Sequence, residues 1–183
     1  RLIAGGGVSL DGEPVAFRSA EDARHAGIET VHQNLALVED LTVWQNLFLN
    51  RELTRGPFLD RAAMRRRAQE MVSELAVNVP AVSSRVRQAV AICRAAGFDS
   101  RLVIMDEPTA ALGVQETARV ENLIRGLRDR GRAVLVISHD FQQVLRLSDQ
   151  VWVMRSGRCV GGRRTADTTG EEIVALVTGA LAS

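Results

Sequence analysis

The sequence predicts an α/β fold with a largely parallel sheet, and three observations predict it. Two short runs, Leu102–Met105 and Val134–Ile137, are wholly apolar, the pattern of strands buried on both faces of a sheet. Stretches with helical spacing of apolar residues lie between and around them, so strands and helices alternate. Each apolar run stops at once on polar residues, Asp106-Glu107 after the first and Ser138-His139 after the second. Carboxyl ends of neighbouring parallel strands are where open α/β sheets present their functional groups.

Taken in order, Val8-Ser9-Leu10, the turn pair Asp11-Gly12 and Val15-Ala16-Phe17 read as a hairpin, an antiparallel edge ahead of the main sheet. Ser19 with Asp22 three residues on opens a short helix that Gly27 ends. Ile28 to His32 alternates and is a strand delivering Gln33 to its end. Thr42 with Gln45 has the capping-box form and starts a helix to about Asn50. Leu53 to Leu59, with Gly56-Pro57, is a loop. Asp60 caps a helix to about Leu75 whose apolar face is Met64, Ala68, Met71, Val72 and Leu75. Arg65, Arg66 and Arg67 make its solvated face. Pro80 to Arg87 is irregular, and Gln88 to Ala96 is a helix of small residues feeding the Leu102 strand.

Beyond the acidic pair, Val120, Leu123, Ile124 and Leu127 mark a helix stopped by Gly131. The Ala133 strand follows, then a helix with Phe141, Val144 and Leu145. Val151–Met154, the turn Ser156-Gly157 and Arg158–Val160 form a second hairpin. Thr169 caps a last helix through Val177. No internal repeat or low-complexity segment interrupts this order.

Composition narrows the function classes. A chain of 183 residues suits one domain with a sizeable core, and 46% hydrophobic with 25% charged residues is a globular balance. The net charge of +1 gives no global pull toward nucleic acid. No apolar run approaches the length of a membrane span. Cys93 and Cys159 are far apart and lack metal-type spacing, so a reduced, cytosolic setting is expected. All 23 basic residues are Arg, with no Lys in the chain.

Adjacent carboxylates at a dry strand end repel each other unless a cation lies between them. Asp106 and Glu107 therefore suit a nucleotide-bound magnesium ion, one holding the metal and the other polarising a water. Pro108 ends the strand because it has no N–H to pair. Four features then line up: Val31-His32-Gln33; Arg87-Gln88-Ala89-Val90-Ala91-Ile92; the run from Leu102 to Thr109; and Ile137-Ser138-His139-Asp140. This set resembles the nucleotide-binding domain of ABC transporters, most of all the ATP-binding subunits of simple-sugar importers of the ribose, xylose and fructose type. Ala110-Ala111-Leu112-Gly113-Val114-Gln115-Glu116 is similar to what those subunits carry after the acidic strand.

The resemblance covers nearly the whole chain and implies a P-loop-NTPase-like core. Residues 1–183 would be a single, incomplete nucleotide-binding domain, with about 35–98 as a helical subdomain and the remainder a RecA-like and β core. It implies ATP and Mg2+ as ligands, with Asp106 and Gln33 toward the metal and Glu107 as general base. His139 would bond the γ-phosphate and help position the water, and Gln33 would reach the metal or water and report nucleotide state. Cofactor contacts fall on Gln33, Asp106, Glu107 and His139. The partners implied are membrane permease subunits and a second nucleotide-binding domain, with no nucleic acid, at the cytoplasmic face of the inner membrane. Trp44, Phe48 and Phe58 are either permease contacts or core, and core is the commoner fate of any one of them. Gly113, Val114 and Gln115 would lie where two cassettes meet.

Two parts of the family pattern are missing from these 183 residues. The P-loop, Gly-x-x-x-x-Gly-Lys-Ser/Thr, needs a Lys, and Gly5-Gly6-Gly7 is followed by none. The family places that loop upstream of where this sequence starts. The LSGGQ signature belongs just before Arg87-Gln88, where Ser83-Ser84-Arg85-Val86 stands instead. Two expectations follow: an ATPase subunit powering sugar uptake, or a non-hydrolytic degenerate cassette or fragment acting only as an interaction module.

Overall fold

The computed structural model describes residues 7–31, 37, 38, 40–74, 90–94, 97, 98, 100–110 and 112–180. β1 (Val8–Leu10) and β2 (Glu13–Val15) pair antiparallel, the return strand starting directly after the turn and ending at Val15, where the apolar pattern places its start. Their turn is Asp11-Gly12, both at positive φ (52° and 85°), the geometry a tight hairpin demands. α1 (Ala20–His25) opens on the predicted capping box, in which Ser19 Oγ accepts from the Asp22 N–H and the Asp22 carboxylate accepts from the Ser19 N–H. Gly27, at φ 83°, turns the chain into β3 (Ile28–Val31). Its carbonyl accepts from the Arg101 and Leu102 N–H groups, which fixes the start of the acidic strand beside the start of β3.

α2 (Val43–Phe48) and α3 (Arg61–Glu74) follow, each opened as the sequence indicates, by Thr42 with Gln45 and by Asp60 accepting from the Ala63 N–H. Between them the predicted loop is a small hairpin, β4 (Thr54–Arg55) with β5 (Phe58–Leu59). Gly56, at φ 62°, supplies the left-handed turn residue, so Gly56-Pro57 reverses the chain rather than merely breaking it. Phe58, at the hairpin, is 76% exposed, whereas Phe48 is fully buried and Trp44 half-buried with the Arg65 guanidinium over its ring. Core is thus the fate of Phe48 but not of Phe58.

The main sheet has the order β3-β6-β7, all parallel, with β6 (Leu102–Asp106) in the middle and β7 (Ala133–Ile137) beside it. α4 (Val114–Asp129) joins them, and Gly131 at φ 76° ends the crossover. α5 (Phe141–Leu147) leads to a separate hairpin of β8 (Gln150–Arg155) and β9 (Arg158–Arg164), and α6 (Gly170–Thr178) closes on it. One core joins Val103 and Met105 of β6 to Leu123, Ile124 and Leu127 of α4, to Met64 and Met71 of α3 and to residues 90–93. A second packs Val151 and Val153 on Ile173 and Leu176.

The two apolar runs are adjacent, but their burial departs from expectation. On β6 only Val103 and Met105 are fully buried, while Leu102 and Ile104 are half-buried. On β7, Ala133, Leu135 and Ile137 point to solvent, the last two at 49% exposure, and only Val134 and Val136 face the core. The reason is coverage: among the described residues α4 packs on the Val134 and Val136 face of β7. Substitution at the two kinds of position therefore has unequal cost. Met105→Ala is expected to lower unfolding stability by about 2–5 kcal/mol, and Leu135→Ser by within about 0.5 kcal/mol, in urea denaturation of this chain.

Candidate functional site

Register places the site. Asp106 pairs with Ile137 across β6 and β7, so both chains leave the sheet at the same level and on neighbouring strands. β3 ends alongside, with Val31 opposite Met105. Gln33, the next polar candidate along that chain, lies outside the described residues.

Immediately after β6, Glu107 takes φ 48°. A non-glycine side chain in the left-handed region costs about 1–2 kcal/mol, and such strain persists only where surroundings over-determine it. Here the Glu107 N–H donates to the Ile137 carbonyl at 2.9 Å and the Glu107 carbonyl accepts from the Ala110 N–H at 3.1 Å. Pro108, fully buried, fixes the next step of the turn. The result swings the Glu107 side chain away from the strand line that Asp106 follows and across to the end of β7.

There it meets His139. Glu107 Oε1 accepts from the His139 N–H at 3.1 Å and lies 2.7 Å from His139 Nδ1. An ionised carboxylate can only accept, so Nδ1 carries the proton of that bond. Nε2 is left facing outward, on a side chain 85% exposed, while Glu107 is 20% exposed. The hydrogen bond that His139 donates to Glu107, and then the Glu107 charge, raise the His139 pKa above the ordinary 6.5. Three of the four sequence-predicted residues, Asp106, Glu107 and His139, thus meet at one edge of the sheet.

A polar layer that sequence reasoning missed lies directly beneath. Gln143 of α5, fully buried, accepts through Oε1 from Thr109 Oγ1 at 3.0 Å and from Ser138 Oγ at 3.5 Å. Its Nε2 donates to Glu121 Oε1 at 3.4 Å. Glu121, 7% exposed on α4, also accepts from Arg146 at 3.0 Å and from Arg125 at 3.2 Å. Burial opposes its charge, but the bonds from Arg146 and Gln143 outweigh that and hold its pKa below the usual value. The available signal was a polar residue set in an apolar stripe: Glu121 adjoins Val120, Leu123 and Ile124, and Gln143 adjoins Phe141 and Val144.

The pair has a pH signature. Because the folded-state His139 pKa is raised, its contribution to stability is full below about 6.5 and fades as pH rises through the folded value. An NMR titration is expected to place His139 above 6.5, and Glu107→Gln, which removes the charge, to bring it back toward that value.

Comparison with known proteins places this geometry in a family. Residues 3–110 match the ABC transporter family. The chain is 43% identical over 190 residues to the fructose import ATP-binding protein FrcA of Rhizobium meliloti, covering 96% of this chain and 73% of that protein. It is 37% identical over 180 residues to the xylose/arabinose import ATP-binding protein XylG of Sulfolobus acidocaldarius, covering 94% and 72%. A ribose import ATP-binding protein, RbsA 2 of Rhizobium johnstonii, is 40% identical over 181 residues, of which the match spans 95% of this chain but 35% of the relative. In fold, the chain is similar to cbiO1 of Clostridium perfringens, part of the ABC transporter complex cbiONQ, with a TM-score of 0.73 at 21% identity over 93% of this chain and 70% of that one. On its family match and its identity to relatives that it largely spans, the chain belongs to the ABC transporter family.

Proposed function

We propose that this chain is the ATP-binding subunit of an ABC-type carbohydrate importer, coupling ATP hydrolysis to sugar uptake. The observation that carries the reading is the Glu107–His139 pair beside Asp106, in a chain whose relatives are named as fructose, xylose/arabinose and ribose import proteins. Glu107 acts as general base: His139 occupies its Oε1, which leaves the second carboxylate oxygen to orient and deprotonate a water. His139 keeps Nδ1 toward Glu107 and offers Nε2 to a terminal phosphate oxygen, as a donor when the ring is protonated. Gln33 follows β3, which runs beside β6, and serves as a reporter of what occupies the crevice.

The donor set fits magnesium arriving with nucleotide. Mg2+ takes one or two carboxylates plus phosphate oxygens and keeps several waters. Among the described residues no group of three or more His, Cys, Asp or Glu is arranged to hold a metal, as a standing metal cage would require. Asp106, half-buried at the strand end, is the carboxylate that would hold it, with Gln33, while Glu107 is engaged by His139. Bound there, the ion would neutralise phosphate charge.

No helix among the described residues is long and apolar enough to cross a membrane. The subunit works at the cytoplasmic face through a permease partner, with residues of about 35–98 as the helical subdomain that meets it. A second cassette completes the working dimer, Gly113, Val114 and Gln115 facing it; Val114 is 88% exposed at the start of α4. A purely interacting role is the less supported reading, because it leaves the strained, hydrogen-bonded Glu107 without a purpose.

These 183 residues alone are expected not to turn over ATP. They carry the base but no P-loop, whose several charge-assisted hydrogen bonds are each worth about 1.5–3 kcal/mol. With about 1.4 kcal/mol per decade, losing several weakens phosphate binding by many powers of ten. Joining an upstream P-loop segment and restoring the Gly-rich signature should yield ATPase activity. In that repaired protein Glu107→Gln should lower turnover by about 10²–10⁴-fold. Turnover unaffected by Glu107→Gln would remove the base role.

A further inference from the structure

The Glu107–His139 pair is assembled from two loops that belong to different strands, and something must hold those loops together. The backbone bond from Glu107 N–H to the Ile137 carbonyl is one tie. The other is a side chain. Gln143 Oε1 reaches Thr109, two residues after Glu107, and Ser138, one residue before His139. Ser138 in turn accepts from the Asp140 N–H at 3.1 Å, and Asp140 accepts from the Gln143 N–H at 3.0 Å. The loop carrying His139 is thereby closed on both sides by the same residue.

We propose that Gln143 is a positioning residue for the reaction, oriented by the buried Glu121, which clamps the Thr109 and Ser138 hydroxyls and so sets the distance between Glu107 and His139. The proposal rests on the reading of Glu107 as base and deepens it. A side-chain amide has two orientations, and its neighbours select one. Glu121 can only accept, so the NH2 of Gln143 must face it. The carbonyl oxygen then faces the two hydroxyls, which donate to it. Arg125 and Arg146 hold Glu121 charged and in place from two directions. With Gln143 fully exposed to none of the solvent, no water can substitute for its contacts without opening the core.

The clamp makes a prediction about polarity rather than size. Gln143→Glu sets one carboxylate against another, whereas Gln143→Glu combined with Glu121→Gln restores an amide donor at 121 facing an acceptor at 143, at the cost of the bond that Arg146 makes to the same Glu121 oxygen. Amide hydrogen exchange at His139, whose N–H donates to Glu107, is the readout in this chain, with near-native circular dichroism as the check on folding. We expect exchange at His139 to rise roughly tenfold or more in Gln143→Met and in Gln143→Glu, and to fall part of the way back in the double exchange. Where Gln143→Glu fails to fold, Gln143→Met still decides. Unchanged exchange at His139 in folded Gln143→Met would overturn the clamp. In the repaired, active protein the same variants should lower kcat with KM little changed, and the double exchange should recover part of it. ATPase activity indifferent to Glu107→Gln would overturn only the base role; exchange indifferent to Gln143→Met would overturn only the clamp.

Discussion

The parallel register of β6 on β7 is the constraint on which the site depends. Asp106 opposite Ile137 brings two chain ends out of the sheet together, one carrying carboxylates and the other a histidine. Parallel strands need a crossover, and α4 supplies it, burying Val120, Leu123, Ile124 and Leu127 against the core. A slip of one residue would turn every side chain of β6 to its other face and carry Glu107 away from His139. The burial of Val103 and Met105 resists that slip, so core packing and site geometry are one problem with one solution.

Strain and compensation are concentrated just beyond that register. Glu107 sits in a backbone region that disfavours its side chain, and the hydrogen bonds around it restore the balance. Adjacent carboxylates in extended geometry would point to opposite faces of the strand. The left-handed step at Glu107 breaks that alternation and separates the roles: Asp106 stays at the strand end, and Glu107 crosses to His139. Beneath them, buried polar side chains from α4 and α5 form a second layer in which acceptors and donors match. A buried carboxylate is tolerable there because Arg146 and Arg125 pair with it.

Much of this was legible in the sequence because the physical signals were local. The capping boxes at Ser19 and Thr42, the Asp11-Gly12 turn and the helix stop at Gly131 each depend on a few neighbouring residues. The acidic strand and the histidine strand were legible as apolar runs ending in polar groups. What was not legible required knowing what packs on what. The purely apolar β7 predicts two covered faces, yet Leu135 and Ile137 face solvent because, among the described residues, packing covers the Val134 and Val136 face. Gly56-Pro57 signals a break, and only pairing of Thr54 with Leu59 makes it a hairpin. Gln143 and Glu121 are far apart in the chain, and their bond exists only once α4 and α5 meet.

The central claim is that the fold presents Glu107, steered by His139, to a water at the carboxyl ends of β6 and β7. The most direct measurement is a crystal structure of the repaired protein with a non-hydrolysable ATP analogue and magnesium. The account predicts a water within hydrogen-bond distance of the Glu107 oxygen that His139 does not hold, magnesium on the Asp106 side, and Glu107 still at positive φ. A nucleotide bound with Glu107 turned away from the terminal phosphate, and His139 no longer bonded to it, would contradict the account.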